Sequence, residues 1–180
     1  MGLAWHDQAI ERSRAFRSRI LRPVVLPLRR IGISAAHLTA LSFLTGLAAV
    51  WFVFGQHIWF VIFGIAHLLL DALDGVLARE TRQTRSGAYA DMVTDNLVTV
   101  LLLGKGFVVF SIPSFGVIAF AYLVHQLIYL LSRMHAPVLF GRTVLFMVFF
   151  LQWYFTGMLF IAALTAFGLG LQARFFLRKN

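Results

Sequence analysis

Long apolar blocks separated by short polar or small-residue breaks fill residues 34–174. A helix needs about 20 mostly apolar residues to cross a bilayer core, and the pattern divides into six such units. The first four cover residues 34–54, 58–79, 88–110 and 115–133. The last two share residues 138–174, with a turn predicted at Tyr154–Gly157. No polar loop marks that turn, so these two helices are expected to be short or tilted. Ahead of the spans, residues 1–22 intersperse Arg12, Arg14, Arg17, Arg19 and Arg22 with Leu3, Trp5, Ile10, Phe16, Ile20 and Leu21. That mixture predicts an amphipathic helix on a membrane surface. Pro23 and Pro27 are expected to break or redirect it, and Arg29-Arg30 mark entry to the first span. The expected fold is an all-α polytopic membrane protein: six transmembrane helices over residues 23–180 and an N-terminal amphipathic interfacial helix over 1–22.

Composition agrees with this reading. Hydrophobic residues make up 60% of the chain and mean hydropathy is +0.83, well above a soluble domain's roughly 45–50% apolar content. The 19 Phe and 4 Trp residues suit lipid-facing and interfacial surfaces. Residues 1–20 are polar and basic, unlike a secretory signal. Without cysteine, neither disulfides nor thiolate chemistry is available.

The net charge of +9 would suggest nucleic acid in a soluble chain. Here it fits positive-inside topology and contact with anionic lipid, with no nucleic-acid partner. Six spans with both termini inside put the N-terminal arginines, Arg79, Arg82, Arg85, Arg133, Arg142, Arg174, Arg178 and Lys179 on the cytoplasmic side. Lys105 alone falls toward the far side. Five spans would leave one basic terminus outside.

Carboxylates are concentrated where the second and third spans meet. The pattern reads Asp71-x2-Asp74-Gly75-x2-Ala78-Arg79, then Gly87-x3-Asp91-x3-Asp95. Residues three, four and seven apart share a helix face, so each group forms one acidic face. The short Glu80–Ser86 connection makes the helices antiparallel neighbours whose acidic faces converge. Four carboxylates in a partly dry site repel one another unless they share protons or bind divalent cations. An all-oxygen donor set, with no Cys and no His in the pattern, suits Mg²⁺ or Mn²⁺. Such a metal suits a diphosphate, and a carboxylate left over can act as a base. Gly75 and Gly87 would admit a close backbone or substrate, and Arg79 suits a phosphate or carboxylate partner. Intramembrane carboxylates in this number mark a functional site.

The pattern resembles the signature of the CDP-alcohol phosphotransferase family at every fixed position: Asp71, Asp74, Gly75, Ala78, Arg79, Gly87, Asp91 and Asp95. The resemblance implies a homodimeric integral membrane enzyme that displaces CMP from a CDP-linked lipid or head group, using a second substrate's hydroxyl. It implies a pair of Mg²⁺ or Mn²⁺ ions, with Asp71, Asp74 and Asp91 holding metal and diphosphate. Asp95 would complete the metal set and deprotonate the alcohol. Gly75, Ala78, Arg79 and Gly87 would shape the nucleotide pocket beside Asp71, Asp74 and Asp91. The active site would face the cytoplasm, in the inner membrane of a prokaryote. Two positions depart from the pattern: Ala35-Ala36 stand where many relatives have Pro-Asn, and Asn96 where several have Arg.

A phosphorylated polyol acceptor would need cations, for which Arg133 and Arg142 are the candidates. Tyr129-x3-Arg133 faintly resembles a stretch of the inositol-phosphate-using branch. The expected reaction is phosphatidyl transfer from a CDP-linked lipid to a small alcohol, in phospholipid biosynthesis. The alternatives are transfer of a phospho-head group to diradylglycerol, an aspartate-rich intramembrane prenyltransferase, and a divalent-cation transporter. His67 and His125 read as interhelical hydrogen-bonding groups, and Ser34 and Thr39 as caps of the first span.

Overall fold

The computed structural model describes residues 16, 18–81, 84–139 and 141–178, and all of the regular structure among them is helical. Among the described residues there are seven helices: α1 over residues 18–30, α2 (Ala35–Phe52), α3 (His57–Glu80), α4 (Arg85–Phe110), α5 (Pro113–Leu131), α6 (Arg142–Phe150) and α7 (Tyr154–Leu177). Five of them, α2 to α5 and α7, are long and apolar enough to cross a membrane.

Local chemistry explains most of the boundaries. Ser34 caps α2 in a capping box with His37: its hydroxyl accepts from the His37 amide at 3.4 Å, and the Ser34 amide donates to His37 Nδ1 at 3.2 Å. Thr84 caps α4 by accepting from the Gly87 amide at 3.1 Å. Ser111, in the left-handed region at φ 54°, ends α4, and Pro113 opens α5 in the first turn, where its missing N–H costs nothing.

Successive helices alternate in direction. Phe54 after α2, Phe110 at the end of α4 and Tyr154 at the start of α7 form a tight aromatic knot, with Phe54–Phe110 and Phe54–Tyr154 ring centroids 4.9 and 5.0 Å apart. Phe60, Leu102, Leu103, Phe115, Leu145, Phe146 and Phe149 extend this knot into the main buried core. At the opposite end a smaller cluster joins Val25 of α1 to Leu38, Val76 and Leu77. The aspartate helices meet at this second end.

Three expectations change. The described helix α1 runs through Pro23 and Pro27 rather than breaking there. Burial of Val25, with Leu21 and Leu28 packed beside it, outweighs the lost backbone bonds, and both prolines lie exposed. Residues 1–15 and 17, which carry most of the expected amphipathic helix, lie outside the described residues. The fifth apolar unit forms only the nine-residue α6. At 1.5 Å per residue it spans roughly 13 Å, less than half of an ~30 Å bilayer core. The turn after it falls at Leu151–Trp153, ahead of Tyr154, where Gln152 takes a left-handed φ of 60°.

Candidate active site

Helices α3 and α4 bring three of the four aspartates together. Carboxylate oxygens of Asp71, Asp91 and Asp95 all lie within 4.8 Å of one another, each side chain partly buried. Asp74 stands apart from this trio, on the neighbouring cavity, and is 3% exposed. One oxygen each of Asp74 and Asp91 (Oδ2 and Oδ1) is buried without a hydrogen-bond partner. Buried acceptors left open in this way are costly unless something else fills them.

A cavity of about 510 Å³ adjoins the trio, between the start of α2, the end of α3 and the start of α4. Asp74, Ala78, Gly87 and Asp91 of the expected nucleotide set line it, together with Ala35 and Ala36. Asp91 belongs to both the cavity and the trio. Gly87 lines the cavity, and an added Cβ would press on Thr84 Oγ1 at 3.2 Å. Its missing side chain therefore both widens the cavity and clears the hydroxyl that caps α4. Asp71, Gly75 and Arg79 do not line this cavity. Arg79 is exposed and donates to Ser18 Oγ at 3.2 Å, while Arg22 pairs with Glu80 at 3.3 Å. These contacts fasten α1 to the end of α3.

The hydroxyls around the cavity have no motif to announce them. Thr39, Thr81 and Thr94 each donate to a carbonyl one turn back, at 3.0, 2.9 and 3.0 Å. Such back-bonding fixes the hydroxyl hydrogen and leaves the oxygen as an acceptor. Only their recurrence on the pocket-facing turns would have marked them in the sequence.

Of the two expected acceptor cations, one reaches the aspartates. Arg142, at the first position of α6, forms ion pairs with both Asp71 and Asp95. Its Nη1 also lies 3.4 Å from His67 Nε2. Arg133 is exposed, has a left-handed φ of 55°, and lines a separate cavity with Tyr89 and His135. Asn96 turns away from the trio: its amide donates to Met92 O at 2.8 Å and accepts from Tyr122 Oη at 2.8 Å. His67 makes the expected interhelical bonds, to Ser42.

The donor set is all oxygen, closely grouped, and holds unpartnered buried acceptors. Those properties fit a divalent cation with a preference for hard ligands. Chemically, this is a membrane-embedded carboxylate site beside a polar-edged cavity large enough for a small ligand. The model of the CDP-alcohol phosphatidyltransferase family matches residues 33–171, and the chain belongs to that family. It is accordingly an enzyme of the CDP-alcohol phosphotransferase type. No individual curated protein matches the chain.

Proposed function

We propose that the chain transfers a phosphatidyl group from a CDP-linked lipid to a small alcohol, possessing a polyol phosphate site on the acceptor side, with release of CMP. The observation that carries the reading is the convergence of Asp71, Asp91 and Asp95 at the edge of the cavity lined by Asp74, Ala78 and Gly87. Family membership supports the general chemistry, transfer between a CDP-linked moiety and an alcohol. It leaves the prenyltransferase and the cation transporter without support.

In this reading Asp71, Asp74, Asp91 and Asp95 hold two Mg²⁺ or Mn²⁺ ions. Bound there, such ions would offset diphosphate charge and favour departure of CMP. The cavity takes the nucleotide, with Gly87 and Ala78 leaving room beside it and Thr39, Thr81 and Thr94 offering acceptors. The capped first turn of α4 presents its amide end to the same space, which favours an anion. Gly75 and Arg79 shape the region through the end of α3. Asp95 takes the alcohol proton, which requires hydrogen-bond reach of the incoming hydroxyl. Arg142, already among the carboxylates, is the nearer candidate for an acceptor phosphate, and Arg133 guards a second approach.

The same proposal covers the setting. The active end faces the cytoplasm of a prokaryotic inner membrane, residues 1–22 lie on its surface, and 23–180 form the catalytic domain as a homodimer. The fifth pass is completed by α6 together with the non-helical residues described before it. Non-helical backbone at membrane depth is tolerated where protein covers it, and Ala136 and Gly141 are buried.

The test is CMP release from protein in lipid, with CDP-diacylglycerol, Mg²⁺ or Mn²⁺, and inositol phosphate, glycerol 3-phosphate, serine or free inositol. Release that needs both metal and one alcohol, and is lost in D95N, names the acceptor. Release only from a CDP-linked head group with diradylglycerol would reverse the proposed direction of transfer.

A further inference from the structure

The shared grip of Arg142 on Asp71 and Asp95 has a built support behind it. Ser42 on α2 and His67 on α3 are 3% and 1% exposed. Ser42 Oγ donates to His67 O at 3.1 Å, and His67 Nδ1 lies 2.9 Å from both Ser42 O and Ser42 Oγ. A carbonyl oxygen can only accept, so Nδ1 carries the proton. In the neutral ring Nε2 then holds the lone pair, and it faces Arg142 Nη1 at 3.4 Å. The arrangement gives one guanidinium three acceptors: two carboxylates and one imidazole. Gly46 makes the support possible, because a Cβ there would stand 3.0 Å from His67 Nδ1 and 2.7 Å from Val98 Cγ2.

We propose that Arg142 is an internal counter-cation, positioned by Ser42 and His67, that competes with divalent metal for Asp71 and Asp95. The proposal rests on the metal-binding reading given above. A guanidinium in this low-dielectric position offsets the mutual repulsion of the carboxylates when no metal is bound. The same contacts must loosen before those oxygens can bind a metal ion. Metal binding and the Arg142 ion pairs are therefore coupled with opposite sign. His67 stays beside Arg142 throughout, so the released fork remains in the site, where its planar donors match a phosphate. Arg142 here sets metal affinity, and Ser42 and His67 are the residues that position it.

The experiment is Mn²⁺ titration of purified protein in lipid nanodiscs, reading free Mn²⁺ by electron paramagnetic resonance without substrate. Variants are R142M, R142K and H67A, with D91N as a control for site occupancy. R142M is expected to bind Mn²⁺ at least fivefold more tightly than the unmodified chain. R142K, which keeps the charge but not the fork, should fall between them, and H67A should tighten binding about twofold. Equal or weaker binding in R142M, with unchanged helical circular dichroism and a monodisperse profile, overturns the counter-cation role. An unchanged affinity in H67A overturns the positioning role of His67. Absence of saturable Mn²⁺ binding in every form, including the unmodified chain, overturns the metal reading itself.

Discussion

The glycines packed against the aromatic core and those of the aspartate motif sit in different surroundings. At the aromatic end, glycines are contact points. A Cβ on Gly64 would lie 2.6 Å from the Phe150 ring, and one on Gly157 would lie 2.7 Å from the Phe149 ring. The two glycines of the aspartate motif press on no ring, unlike Gly46, which abuts His67. A Cβ on Gly75 would meet only Arg79 Nη1, at 3.8 Å, and Gly87 opens into the cavity. Small residues allow close helix approach in membranes, where burying apolar surface from lipid gains little. At the aromatic end they serve packing. In the aspartate motif, Gly87 lines the cavity.

Polar groups divide in the same way. The aromatic core is built from apolar side chains with His57 beside Phe60, whereas the other end holds carboxylates with unsatisfied oxygens and an arginine among them. An end built for packing and an end built for chemistry should respond differently to substitution. The largest effect is expected at the carboxylates. D95N should lower CMP release by about 10²–10⁴-fold, the range for losing a general base, without lowering the melting temperature. Chelation of divalent cations should abolish release in the unmodified chain and be reversed by added Mn²⁺. A comparable loss of thermal stability in D95N would erase the distinction between the two ends.

Next come the glycines. G64V should destabilise the protein by about 1–3 kcal/mol through overpacking against the Phe146 and Phe150 rings, read as a lower melting temperature with kcat retained. G87V should raise KM for the CDP-linked substrate by about tenfold, or ~1.4 kcal/mol, with a smaller drop in melting temperature than G64V because its Cβ crowds only the Thr84 hydroxyl. If the two variants exchanged these signatures, the contrast would fail.

The smallest effect probes the seam between the ends. Tyr122 donates to Asn96 in the buried α4–α5 contact, one residue past Asp95. Y122F should cost about 1 kcal/mol in stability, the usual worth of one such bond, and change kcat/KM less than threefold. A loss of activity as large as that of D95N would make Asn96 part of the site rather than of the packing.

These contrasts also explain what the sequence alone revealed. The first four spans read from apolar runs agree with α2–α5 to within a few residues, because polar and small residues punctuate them. The aspartates were legible because their spacing maps directly onto helix faces. Arg142 was recognisable as an expensive charge in an apolar run, but its pairing with Asp71 spans 71 positions of chain (142 − 71) and leaves no local trace. The short α6 was hidden for a related reason. Leu151-Gln152-Trp153 is no more polar than its surroundings, and the left-handed turn falls on Gln152 rather than on the Gly or Asn that would have announced it. Likewise, Pro23 and Pro27 read as breakers until the burial of Val25 is known. Which motif residues face the cavity and which face neighbouring helices depended on tertiary placement, as Arg79 beside Ser18 illustrates.

The most direct test of the account is anomalous diffraction from crystals of the protein grown with Mn²⁺ and CMP. The predicted result is an ion peak bounded by Asp71, Asp91 and Asp95, with the nucleotide in the cavity beside Ala78 and Gly87. An ion or nucleotide bound elsewhere, with Asp71 and Asp95 still closed on Arg142, would contradict it.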